Sequence, residues 1–91
     1  MTVDFTKPAD EKYVYPAVHH FRVITDAEVA TEAAITEALG AYEVVSPLAR
    51  GRSSSGGRYL VFEVSVRLSS RAEHFAVDAA IKGVEGVRIL L

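Results

Sequence analysis

The longest regular pattern in the chain runs from Tyr59 to Leu68, where apolar and mixed positions alternate. Leu60, Phe62, Val64, Val66 and Leu68 fall on one side, and Tyr59, Val61, Glu63, Ser65 and Arg67 on the other. A period of two sends successive side chains to opposite faces, so the segment predicts a half-buried strand with a polar open face. A second β pattern, "YPAVHHFRVIT", follows a proline and is rich in aromatic and β-branched residues. Ala17, His19, Phe21 and Val23 form its drier face; Val18, His20, Arg22 and Ile24 form the wetter one. "YEVVSPL", Tyr42 to Leu48, is also β-rich, but Pro47 cannot donate to a ladder, which predicts an edge strand or a strand end. A short strand from Val87 to Leu91 closes the chain, with Arg88 expected to point away from Val87 and Ile89.

Two segments change to helical spacing. "DAEVATEAAITEALG" predicts a helix capped by Asp26, with Glu28 in its first turn and Gly40 at its end. Its apolar stripe is narrow: Val29, Ala33, Thr36 and Leu39 lie near one face, Ile35 at the border, and Glu32 intrudes. "SSRAEHFAVDAAIKG" opens on a capping box, Ser70 with Glu73 three residues on, and carries a core stripe of His74, Val77 and Ile81 before Gly83.

The order is β-α-β-β-α-β. With short connections and right-handed crossovers, this predicts an α+β, ferredoxin-like sandwich in which two helices cover one face of a four-stranded antiparallel sheet. The first and third strands should be central. The uncovered face should carry Arg22, Glu63, Arg67 and Arg88, with Tyr59 beside them.

Composition narrows the setting. At 91 residues, with 49% hydrophobic and 24% charged positions, the chain suits one small folded domain over residues 14–91, preceded by a flexible tail over 1–13. The absence of cysteine removes disulfides and thiolate metal sites, and it fits a reducing compartment, so the expected location is the cytoplasm. No segment approaches the length of a membrane span, and the opening "MTVDFTKPADEK" has no apolar region of the kind a signal peptide needs. A net charge of -2 argues against a dedicated nucleic-acid binder. RNA recognition would further require stacking aromatics on the open face, where only Tyr59 qualifies.

The charge is uneven, and that singles out one loop. Arg50, Arg52 and Arg58 surround a Ser-Ser-Ser-Gly-Gly run beside Tyr59, a candidate site for an anion or an acidic partner. A phosphate-cradling glycine loop feeds the N-terminus of a helix, whereas this run feeds a strand, so it predicts a flexible hairpin connection instead. His19 and His20 point to opposite faces and His74 stands apart on its helix, which leaves no metal site and no cofactor expected. No nucleophile stands beside a base in a recognisable motif, so no catalytic residues are assigned and no enzyme is expected.

The Tyr15-Pro16 start followed by Phe21-Arg22-Val23, the Ser55-Gly56-Gly57-Arg58-Tyr59 lead into a long strand, and the Gly86-Val87-Arg88 ending together resemble the YbeD-like family of small bacterial proteins. The likeness runs from about Tyr15 to Leu91. It implies an ACT-like version of the ferredoxin-like fold, the kind of module that regulates enzymes by binding small ligands. Together these readings predict a non-catalytic regulatory or protein-interaction module, a homodimer, with Arg22, Glu63, Arg67 and Arg88 as its interaction face. The alternative is a sensor of an amino acid or anionic metabolite near the arginine-rich hairpin.

Overall fold

Strand β1 (Ala17–Asp26) and strand β3 (Tyr59–Leu68) run antiparallel down the middle of a four-stranded sheet of order β2-β3-β1-β4. The structure is a computed structural model and describes residues 14–52 and 57–91. The flexible tail expected over 1–13 and most of the hairpin run, residues 53–56, lie outside the described residues. Strand β2 (Glu43–Arg50) forms one edge and β4 (Val87–Leu90) the other; helices α1 (Glu32–Ala38) and α2 (Arg71–Lys82) complete the β-α-β-β-α-β order. This is the ferredoxin-like α+β architecture, with the first and third strands central.

The alternation in β3 sorts as its pattern requires. Phe62, Val64, Val66 and Leu68 are buried together with Phe21 and Val23 from β1, beneath Ile35, Leu39, Val77 and Ile81 from the helices. Each such side chain contributes about 1.5–3 kcal/mol by leaving water, so this layer is the main source of stability. Pro47 lies inside β2 at the sheet edge, and the ladder to β3 shifts register between Val44 and Ser46 and again between Ser46 and Ala49. An edge position and an irregular ladder are where a strand tolerates a residue that cannot donate.

Helix α1 departs from its predicted span. Asp26 does not cap it; Asp26 is the last residue of β1, opposite Tyr59, and its carboxylate is held by Arg88. Two backbone bonds keep the chain extended there, from Asp26 N–H to the Gly86 carbonyl (2.8 Å) and from Ala27 N–H to the Arg58 carbonyl (2.9 Å). The helix starts only at Glu32, after Thr31, whose side chain makes no capping bond, and its C-cap is Leu39 rather than Gly40. Its buried stripe is therefore Thr31, Ile35 and Leu39, one turn apart, while Glu32, Ala33 and Thr36 are exposed.

Helix α2 follows its prediction more closely. Ser70 Oγ accepts the Glu73 N–H at 3.1 Å, and Glu73 Oε1 accepts from Ser69 N–H at 2.7 Å, one residue earlier than a regular capping box would have it. Val77 and Ile81 are fully buried and His74 half-buried. In β4 one expectation is corrected. A register shift between Ile24 and Thr25 makes Arg88 an extra residue, so Ile89 sits opposite Ile24 on the open face, while Val87 and Leu90 pack toward the core.

Candidate functional site

The uncovered face is built from directly opposed pairs. Val18 with Arg67, His20 with Ser65, Arg22 with Glu63, Ile24 with Val61 and Asp26 with Tyr59 share it along β1 and β3. β2 adds Glu43 opposite Arg67, and β4 adds Ile89 opposite Ile24. All four residues expected there arrive, each in an ion pair. Arg67 Nε lies 3.3 Å from Glu43 Oε2, Arg22 Nε lies 3.7 Å from Glu63 Oε2, and Arg88 Nη2 lies 3.0 Å from Asp26 Oδ2, which also accepts from Arg88 Nε at 3.0 Å. These pairs step across the sheet from β2 to β4, one at each strand boundary. Solvent-exposed pairs of this kind add about 0–1 kcal/mol each, so their main effect is to leave the face with balanced charge.

Between the charged rows lies an apolar one. Val61, Ile24 and Ile89 stand side by side on three strands, and Ile89 keeps 48% of its surface exposed. On one side of this row is the Arg22–Glu63 pair; on the other are Tyr59 and the Asp26–Arg88 pair.

The arginine-rich hairpin is not one cluster among the described residues. Arg50 ends β2 opposite Phe62 and faces the helix side, where it lines a groove of about 720 Å³ with residues of α1 and the chain leading into it. Arg58 lies beyond the other end of the hairpin, in a polar hollow of about 510 Å³ with Glu28, Tyr59 and the Asp26–Arg88 pair. Arg52 is exposed just past β2 and lines neither. Arg50 and Arg58 thus line separate hollows, and Arg52 lines neither.

Two arrangements escape the sequence. His19, on the helix-facing side of β1, meets His74 from the first turns of α2 with ring centroids 4.6 Å apart; Tyr15 stacks on His19, and its hydroxyl shares a 2.8 Å hydrogen bond with His74 Nδ1. Phe21 meets the His74 ring edge-on. Burial holds His19 below the usual histidine range, and the neighbouring His74 and then His20 add to that lowering. The signal was present: His19 and His74 each occupy an inward position of their element, but nothing local says that these positions coincide. On the open face, Ser65 Oγ is hydrogen-bonded to His20 Nδ1, a serine against an imidazole that residues 45 apart do not announce. Ser65 is buried, and neither residue lines the two hollows above. Among the described residues no three histidines or carboxylates gather as a metal site would require, and no helix is long and apolar enough to cross a membrane.

A four-stranded antiparallel sheet with two helices on one face and an ion-paired open face defines the class: a small ferredoxin-like α+β domain. The chain belongs to the family described as "Protein of unknown function (DUF493)", whose model matches residues 10–91; this is the YbeD-like family whose features the sequence shows. Among solved structures it is similar to the solution structure of protein HP0495 from H. pylori, with 25% identity, a TM-score of 0.74, and coverage of 100% of this chain and 94% of that one. No curated protein matches it.

Proposed function

We propose that the protein is a non-catalytic interaction module whose open sheet face docks a second copy of itself. The observation that carries this reading is the apolar row Val61–Ile24–Ile89 flanked by balanced ion pairs. An apolar centre within a polar rim is the anatomy of a protein interface. The face pairs Arg22, Arg67 and Arg88 with Glu63, Glu43 and Asp26, so a two-fold partner presenting the same surface meets no excess of like charge. Among the described residues the His20–Ser65 contact gives a catalytic reading no support, because its buried hydroxyl lies away from either hollow.

Sedimentation velocity across micromolar to millimolar concentration tests it. The wild-type chain should shift from monomer to dimer. Ile89→Lys should stay monomeric, with folding stability within roughly 0.5 kcal/mol because the side chain is half-exposed. A wild-type chain that is monomeric throughout, or an Ile89→Lys chain that dimerises normally, overturns the reading. The small-ligand alternative near the arginine-rich hairpin is favoured by one specific feature, the placement of Arg50 over an apolar groove.

A further inference from the structure

The groove between α1 and the β2–β3 end of the sheet exists for a reason visible in the sequence. Strand β3 is 10 residues long, but α1 covers only 7, because β1 continues to Asp26 and the helix begins at Glu32. What crosses this end of the sheet is the chain from Ala27 to Ala33, rich in alanine, and such small side chains cannot fill the space above Leu60 and Phe62. The result is a trough of about 720 Å³ with apolar walls from Val29, Ala33, Leu60 and Phe62. Pockets of this volume hold small organic molecules.

Its charged and polar lining residues are Arg50, Glu32, Glu37, Thr31 and Thr36. Arg50 lines the trough and makes no ion pair with a described residue. Thr31 borders it as well, but the residue is 2% exposed and its hydroxyl oxygen is sealed from solvent, with no partner among the described residues. An unpaired buried hydroxyl is a standing cost to folding. The hollow at Arg58 is mostly polar, with Glu28 and the Asp26–Arg88 pair in its lining, and the one beside Tyr42 and Pro47 has no charged lining residue.

The geometry points to a binding site for a small carboxylic acid with an apolar body, its carboxylate on the Arg50 guanidinium, its body on Val29, Ala33, Leu60 and Phe62. Arg50 fixes the position of the anionic end, because a guanidinium binds a carboxylate through charge-assisted, bidentate hydrogen bonds. The apolar walls reject a bare inorganic anion, which would lose hydration without gaining contacts. Glu32 and Glu37 also line the trough and would receive an ammonium group if the acid carries one. The site lies on the helix side of the sheet and does not depend on docking of a second copy to the open face.

Amide chemical-shift titrations of the full chain with isovalerate, phenylacetate, leucine, phenylalanine and inorganic phosphate test this. Saturable shifts at Ala33, Arg50 and Phe62 with at least one apolar acid are expected. Arg50→Gln, an exposed change, should weaken binding about tenfold or more with the melting temperature unchanged. Tighter binding of leucine than isovalerate that is lost in Glu32→Gln or Glu37→Gln supports the same site and assigns it to amino acids. Absence of saturable shifts with all four organic acids, phosphate binding as tightly as any of them, or indifference to Arg50→Gln overturns the proposal.

Discussion

Gly86 shows how a single residue can hold an element junction together. Its φ of +98° lies where side chains are strained, and an added Cβ would meet Thr31 Cγ2 at 2.7 Å and Val29 Cγ1 at 2.8 Å. Its carbonyl also accepts the Asp26 N–H that prolongs β1. Gly57 has a comparable φ of +69° but open space around it. Gly86→Ala should therefore cost on the order of 2–4 kcal/mol, strain plus overpacking, against about 1 kcal/mol for Gly57→Ala. Thermal melts of the two variants side by side measure the difference; equal losses would mean that the Thr31–Val29 contact gives way freely. The Gly86-Val87-Arg88 ending was legible as a family feature, but its reason was not, because Val29 and Thr31 are more than fifty positions away.

At the scale of elements, the two helices show what local sequence can and cannot decide. Helix α2 carries its own start signal, and the structure uses it: the Ser70–Glu73 bond forms, and Val77 and Ile81 follow at helical spacing. Ser70→Ala should lower stability by about 1 kcal/mol, read from urea midpoints at constant m-value. An unchanged midpoint would show that the cap is frayed in solution. Asp26 offered an equally good start for α1, yet its carboxylate bonds Arg88 and its backbone N–H bonds Gly86, partners supplied by the far end of the chain. Tertiary pairing outcompeted a local cap, and the helix lost its first turn. β4 teaches the same lesson, since a simple alternation placed Ile89 with Val87 until the extra residue at Arg88 reversed it.

For the whole molecule, the strand order and the polar open face were legible because periodicity and connection length leave few topologies. The pairing of charges on that face was not, because ion pairs depend on register, and register is set by contacts across strands. The site at Arg50 was half legible: its residue was singled out, but as a member of a loop whose Arg50 and Arg58 in fact line separate hollows. The His19–His74 contact also has a consequence for the fold as a unit. The folded protein holds the His19 pKa below its unfolded value of 6.5, so the unfolded state binds more protons near that pH. Stability should accordingly rise with pH through the window just below 6.5 and reach its plateau above it. Melting temperatures from pH 5 to 7.5 should show this slope, and His19→Gln should flatten it; a slope that is the same in the variant would assign it to other groups.

Pro47 and the two register shifts around it have one more effect. A sheet can lengthen indefinitely only if both of its outer strands accept a neighbour, each new copy offering a fresh edge to the next. β2 is a poor acceptor, since Pro47 offers no N–H and the two register shifts in its ladder to β3 within 8 residues bend and twist the strand. Any addition through β4 therefore joins like to like and stops at two chains, so the molecule is protected against growth into a continuous ribbon.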